Sequence, residues 1–295
     1  MQNDPILPIL LWPFLTLICI AFILAGLKAV LKKTDWPAGR QQKIFYTTAG
    51  VLLLWIALLS VLALQGFFAD FGRLPPRPGL AILAPLPVIL FIAFSKTGTA
   101  LLRLVPAQWL VLMQSFRIIV ELLLWMGFVA GKLPVQMTFE GRNFDVLTGL
   151  LALPVGYYIA RSLLRGGTGP RAGAGIVGSQ PGAGTGLSAG GEDATRSQAG
   201  VGPLTDAGIG SWSGSSRILA LAFNIAGLLL LFNIMAIALL SMPTPIRYFM
   251  NEPAATLVAH FPFIFLPGVL VPLAYTLHIF SLRQLWLGKN IQQGH

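Results

Sequence analysis

Residues 217–241 read RILALAFNIAGLLLLFNIMAIALLS, an apolar run whose only charge, Arg217, stands at its first position. A helix needs about 20 consecutive apolar residues to cross the hydrocarbon core of a bilayer. The run therefore predicts a membrane-spanning helix.

Six further apolar blocks accompany this one along the chain. They lie at residues 6–30, 44–66, 79–95, 105–130, 145–163 and 254–281. The whole chain is 55% hydrophobic and 10% charged, with a mean hydropathy of +0.76, whereas a soluble domain carries about a quarter charged residues. This composition excludes a soluble enzyme, a fibrous protein and a disulfide scaffold. We expect an all-α polytopic bundle of about seven spanning helices, with Pro85 and Pro87 breaking the short third block.

The distribution of basic residues predicts the orientation of the bundle. Alternate loops hold 14 Lys and Arg residues on one side and 5 on the other, and the twentieth, Arg117, lies within a block. Cytoplasmic loops carry the excess of basic residues in membrane proteins. The N-terminus is therefore predicted outside and the C-terminus in the cytoplasm, and we expect the membrane to be a bacterial inner membrane. We attribute the net charge of +10 to this excess of basic residues in the cytoplasmic loops and not to a nucleic-acid-binding surface.

Residues 166–216 differ from the rest of the chain in composition. They are rich in Gly, Ala, Ser, Thr and Pro and hold half of the 32 glycines. Such a segment buries too little apolar surface to offset its ordering entropy. We expect three parts: helices one to five in residues 1–165, a flexible cytoplasmic linker in residues 166–216, and helices six and seven with a short tail in residues 217–295.

The fourth block contains a polar stripe. Gln114, Arg117 and Glu121 stand at i, i+3 and i+7, which places them on one helical face. An unpaired Arg at the middle of a bilayer costs about 2.5 to 3.5 kcal/mol, so the stripe is not expected to face lipid. Two interpretations remain open. Either an Arg117–Glu121 ion pair locks the helix against its neighbours, or the stripe lines a cavity in which Arg117 binds an anion or Glu121 carries a proton.

The seventh block contributes two histidines, His260 and His278. Their separation of 18 residues is five helical turns, which puts them on one face about 27 Å apart. This spacing resembles a helix of a membrane cytochrome b that ligates two haems, but the only other histidine is His295. Haem or another chromophore would therefore need Met ligands such as Met113, Met126 or Met235, so the cofactor stays undetermined. No metal-site signature is present, and no metal is predicted.

Three prolines, Pro262, Pro267 and Pro272, interrupt the same block. Each removes a helical hydrogen bond, so the helix is expected to be kinked or unwound and to face protein or a cavity. We expect it to lie beside the Arg117 stripe.

The sixth block holds two asparagines. Asn224 and Asn233 are nine residues apart and so face opposite ways. Each is predicted to form a hydrogen bond between helices.

Charged residues also gather in two loops on the predicted outer side. Glu140, Arg142 and Asp145 precede the fifth block, with Asn143 or Asp145 placed to cap its helix. Arg247 and Glu252 lie in the next outer loop. These five residues are predicted to form an outer cap, as a lid over a site or as a solvated and mutually paired surface.

Three functions from different classes fit these features. The first is an integral membrane protein that binds or transports a small solute or ion through a polar cavity, with Gln114, Arg117, Glu121, His260 and His278 as ligand-binding residues. The second is a non-catalytic accessory subunit of a membrane complex, with protein partners. The third is an intramembrane enzyme acting on a lipid, which the absence of catalytic signatures disfavours. Membrane lipids are expected partners in every case.

Overall fold

The computed structural model describes residues 6–166 and 212–293, and side chains only between residues 10–163 and 212–288. Within these ranges the chain is helical and contains no strand. The α-helices are α1 (Ile6–Leu31), α2 (Ala38–Leu64), α3 (Arg77–Leu83), α4 (Pro85–Phe94), α5 (Lys96–Leu104), α6 (Ala107–Leu112), α7 (Phe116–Val129), α8 (Val146–Gly166), α9 (Gly214–Ser241) and α10 (Val271–Gln293).

Seven helical segments of the described chain are long and apolar enough to cross a membrane, which confirms the predicted all-α fold with seven spans. They are Leu10–Leu31, Ala38–Leu64, Arg77–Phe94, Ala107–Val129, Val146–Leu163, Gly214–Ser241 and Leu266–Gly288, called spans one to seven below. The orientation and the division into three parts stay predictions. Most of the Gly-rich segment, residues 167–211, lies outside the described residues, as does His295.

Two spans are interrupted, and an additional helix follows the third. Span three is divided at Ala84, where Pro85 opens α4, because a proline cannot donate the hydrogen bond that would continue α3. Span four contains a 3-10 turn, Met113–Ser115, between α6 and α7. The short helix α5 was not expected. Ser95 starts it by accepting a hydrogen bond from the Gly98 N–H, as an N-cap residue does.

The seventh span begins later than the sequence predicts. Residues 254–265 form turns and a 3-10 helix, and regular helix starts with a π-helix, Leu266–Leu270, that runs into α10. Pro262 has no N–H to donate and disfavours helical geometry at the preceding residue. His260 is extended and exposed, so the prediction that it shares a helical face with His278 is wrong.

The core of the bundle lies around spans four and seven. Within an 18-residue apolar window of each span, the buried share of residues is 61% in span seven and 56% in span four. In span two it is 11%. Span two therefore presents most of its apolar surface outwards. Two glycines of α8 allow close packing against span four: a Cβ at Gly149 would lie 2.9 Å from the Ile118 backbone nitrogen, and one at Gly156 would lie 2.6 Å from Leu112. Small residues commonly permit such approach between membrane helices.

Candidate functional site

An arginine and a carboxylate from different parts of the chain pair inside the bundle. Arg117, on α7, donates from Nε to Asp145 Oδ2 at 2.7 Å, and its Nη2 lies 2.5 Å from Asp145 Oδ1. Asp145 immediately precedes α8, and both side chains are buried. The Nε–Oδ2 contact is a hydrogen bond between charged groups, and the Nη2–Oδ1 contact adds a close ion pair. Hydrogen bonds between ionised groups are stronger than those between neutral ones. The Arg117–Glu121 ion pair considered above does not form, because the carboxylate in contact with Arg117 is that of Asp145.

The third contact of Arg117 fixes the protonation of a histidine. Its Nη1 lies 3.1 Å from His278 Nε2. A guanidinium can only donate, so Nε2 must be the acceptor and the proton of neutral His278 must sit on Nδ1. That nitrogen lies 2.9 Å from Asn224 Oδ1, to which it donates.

The orientation of Asn224 agrees with this assignment. Its Nδ2 donates to the Ala220 carbonyl at 2.7 Å and to Ser281 Oγ at 2.8 Å. A carbonyl oxygen can only accept, so the amide of Asn224 cannot be reversed. Asn224 thus forms the predicted bond between helices, whereas Asn233 is exposed.

Glu121 lies one turn beyond Arg117 and is only half satisfied. Its side chain is 1% exposed, and its Oε1 accepts a 2.6 Å hydrogen bond from Asn143 Nδ2. Asn143 also donates to the Met137 carbonyl and accepts from the Asp145 N–H, which fixes which end of its amide faces Glu121. Among the described residues, Glu121 Oε2 is buried without a hydrogen-bond partner.

Gln114 holds the stripe against span seven. It is fully buried, and its Nε2 donates to the Ala274 carbonyl at 3.1 Å. Together with the Arg117–His278 contact, this bond places span seven beside the polar stripe, as expected from the prolines. Span seven is fixed on its other side too, because the Gly268 carbonyl, freed by Pro272, accepts from Trp55 Nε1 at 2.7 Å.

A cavity of about 60 Å³ borders this cluster. Arg117, Glu121 and Asp145 contribute to its wall, and the rest of the wall is apolar: Ile82, Phe116, Val120, Leu124, Met137, Leu231, Ile234, Met235, Ala238, Met242, Val258, Leu266, Pro267, Leu270, Val271 and Ala274. A single water molecule needs about 10–15 Å³ of such space. The space therefore suits an ion or a ligand of a few non-hydrogen atoms. The cavity is polar along only one part of its wall, where Arg117, Glu121 and Asp145 lie.

The predicted outer cap does not form one unit. Asp145 belongs to the buried cluster. Glu140 accepts from Trp125 Nε1 at 2.7 Å, and the Arg142 guanidinium lies 5.4 Å from the Phe249 ring centre. Glu140 and Arg142 therefore contact aromatic residues and form no ion pair with Arg247 or Glu252 in the described structure.

The other half of the predicted cap is a separate ion pair. Arg247 Nη2 donates to Glu252 Oε1 at 3.0 Å. This hydrogen bond, helped by one from the Ala254 N–H, holds the pKa of Glu252 below its ordinary value.

Sequence reasoning assigned Asn143 only as a cap, because nothing in the sequence shows that its loop folds back to Glu121.

The geometry bears on the cofactor question as well. Both ring nitrogens of His278 are engaged, by Arg117 and Asn224, so neither is free to ligate a haem iron. His260 lies on a different, non-helical segment. Within the described residues, no three His, Cys, Asp or Glu side chains converge as a metal site would require.

Comparison of the chain with protein families, curated proteins and solved structures finds no match.

Proposed function

We propose that this integral membrane protein binds a small solute or ion in the cavity beside Glu121, and that Glu121 is the residue that holds it. The observation that carries the proposal is the carboxyl group itself. One oxygen is fixed by Asn143, the other is buried with no hydrogen-bond partner among the described residues, and Glu121 contributes to the cavity wall. A buried polar atom without a partner is costly, so such atoms commonly mark a ligand site.

Arg117 is the weaker candidate for ligand binding. Its guanidinium already has contacts to Asp145 on two nitrogens and to His278 on the third. Its charge is neutralised within the protein, so a bound anion would have to compete with Asp145. We therefore assign Arg117, Asp145, His278 and Asn224 to positioning α7 against α9 and α10, and Glu121 to binding.

The backbone next to Glu121 favours transport over static binding. Leu266, Pro267 and Leu270 line the same cavity and belong to the π-helical opening of span seven. Interrupted helices beside a midmembrane site are typical of transporters, in which the irregular segment forms part of the binding site. A proline-containing π-helix is also a common place for a helix to bend.

The test is native mass spectrometry of the full chain in lipid nanodiscs, comparing the wild type with Glu121→Gln. The substitution preserves size and an acceptor for Asn143 while removing the carboxylate. We expect a bound small mass in the wild type and its loss in Glu121→Gln, with unchanged melting temperature. Glu140→Gln is the matched control, because Glu140 is a carboxylate of the adjacent loop outside the cavity wall, and it should retain the bound mass.

Two outcomes contradict the proposal. One is the same bound mass in the wild type and Glu121→Gln, and the other is no bound mass in either protein. An absorption spectrum of the same sample would reveal a chromophore.

The same preparation separates the proposal from its alternatives. Stoichiometric protein partners with an empty cavity would favour the accessory subunit, for which the outward apolar surface of span two offers contact area. An intramembrane enzyme requires turnover of a lipid that is lost with Glu121. His260 gives that alternative little support, since it is exposed and does not contribute to the cavity wall.

A further inference from the structure

Arg283, another arginine within a spanning segment, has a different environment from Arg117. It lies near the end of span seven, and its guanidinium carbon is 4.4 Å from the Trp286 ring centre and 4.8 Å from the Phe94 ring centre. Trp286 is on the same helix, whereas Phe94 ends span three. The contacts are within the range of cation–π attraction, which fixes the position of the charge without neutralising it.

Arg283 has no anionic or carbonyl partner among the described residues. Its Nε is buried without a hydrogen-bond acceptor, and no described carboxylate lies within ion-pair distance. The N–H donors of a guanidinium lie in its plane, so ring contacts on its faces leave those donors unused. The in-plane donors of Arg283 are therefore available to an anionic group from outside the chain.

The surroundings of Arg283 form an open groove with one polar residue. Its walls are Phe94, Ile279, Leu282, Arg283 and Trp286. Phe94 and Trp286 are largely exposed, on helices that cross the membrane. The groove therefore offers apolar surface to a hydrocarbon chain and a guanidinium to a head group.

The charge of this end of the bundle agrees with an anionic occupant. Lys96 and Arg103 belong to α5, which follows Phe94, and Arg161 and Arg217 lie at the same ends of spans five and six. In the described loops at this end, the only acidic residue is Asp35.

We propose that the groove binds an anionic glycerophospholipid, with its phosphate on the edge of the Arg283 guanidinium and an acyl chain against Ile279 and Leu282. Arg recognises phosphate through paired in-plane donors. Basic pockets between membrane helices bind such head groups. This site is separate from the Glu121 cavity and does not depend on its function.

The experiment is native mass spectrometry of the full chain released from nanodiscs of phosphatidylcholine mixed with phosphatidylglycerol. We compare the wild type with Arg283→Gln and count retained phosphatidylglycerol. Losing a charged hydrogen bond should weaken retention of one lipid about tenfold. Arg161→Gln is the matched control, because Arg161 is an exposed arginine at the same end whose hydrogen-bond partner among the described residues is Tyr157, and it should retain the lipid.

Further measurements keep the test decisive. Arg283→Lys keeps the charge but loses the planar donors, and it should retain the lipid less well than the wild type. If Arg283→Gln does not fold, Trp286→Leu, which removes one ring contact, should give the same direction of change.

Three outcomes overturn the proposal. They are equal phosphatidylglycerol retention by the wild type and Arg283→Gln, equal loss in Arg161→Gln, and displacement of the lipid by inorganic phosphate, which would indicate a site for the free anion.

Discussion

Two of the Arg–carboxylate pairs among the described residues have similar chemistry but opposite surroundings. Arg117 and Asp145 are 2% and 7% exposed and lie within the bundle. Arg247 and Glu252 are 15% and 71% exposed and lie in the loop after span six. Both pairs bring nitrogen and oxygen within 3.0 Å, so contact distance alone does not distinguish them.

Burial is what separates the two pairs energetically. Exposed pairs contribute about 0–1 kcal/mol because water and salt screen the charges. Removing one partner of a buried pair instead leaves an uncompensated charge and costs about 3–5 kcal/mol. Removing one partner of the inner pair (Arg117–Asp145) should therefore cost far more than removing one partner of the outer pair (Arg247–Glu252).

The largest effect is expected from breaking the inner pair. Asp145→Asn should destabilise the protein by about 3–5 kcal/mol, because Arg117 loses its anion while it remains buried. Replacing both partners in Arg117→Met with Asp145→Leu should restore part of the loss, since neither partner then leaves the other as an unpaired buried charge. The measurement is unfolding in mild detergent, followed by helix content, with Glu252→Gln as the matched outer variant. An equal effect of the inner and outer substitutions would contradict the comparison.

A substitution next to the inner pair sharpens the comparison without changing any charge. A Cβ at Gly227 would overlap the His278 ring, coming 2.6 Å from Nε2, and would lie 3.0 Å from Thr148. Gly227→Ala should therefore cost about 1–3 kcal/mol through overpacking. The control is Gly26→Ala within α1, where no atom lies within 4 Å of the added Cβ. Unfolding midpoints that shift equally in both variants would contradict the expected contact.

The smallest effect is expected at the outer pair, as a pH dependence. The pKa of Glu252 is lower in the folded protein than its ordinary value of 4.5 because of the bond from Arg247. The Arg247–Glu252 pair thus stabilises the folded protein at pH values above the ordinary pKa of Glu252. This stabilisation is lost as the pH falls through the lower pKa that Glu252 has in the folded protein. Arg247→Ala should raise the pKa of Glu252, as measured by carboxyl-carbon NMR titration. An unchanged titration would show that the pair is not formed in solution.

The number and approximate placement of the spans follow from the sequence, because seven apolar blocks of bilayer length leave few alternatives. Helix boundaries follow less well where proline occurs. The apolar character of residues 254–265 continues into span seven, but Pro262 prevents a continuous helix, so composition and backbone geometry diverge there. The helix α5 was missed because it is short and contains Lys96 and Arg103.

The buried cluster follows from the sequence only along single helices. Helical spacing places Gln114, Arg117 and Glu121 on one face. Partners from other segments are not encoded by spacing, which is why Asp145 was grouped with the outer loop and Asn143 was assigned only as a cap. Their actual positions depend on how the loop before α8 folds into the bundle.

The hydrogen bonds through His278 also have a direction. Arg117 donates to His278, His278 donates to Asn224, and Asn224 donates to Ser281 and to the Ala220 carbonyl. Reversing one member alone would set donor against donor on one side and acceptor against acceptor on the other. Spans four, six and seven are thus matched by the sense of their donors and acceptors as well as by shape. A helix shifted to another register would need hydrogen-bond donors and acceptors in the same order along its contacts. Packing between apolar side chains alone imposes no such requirement.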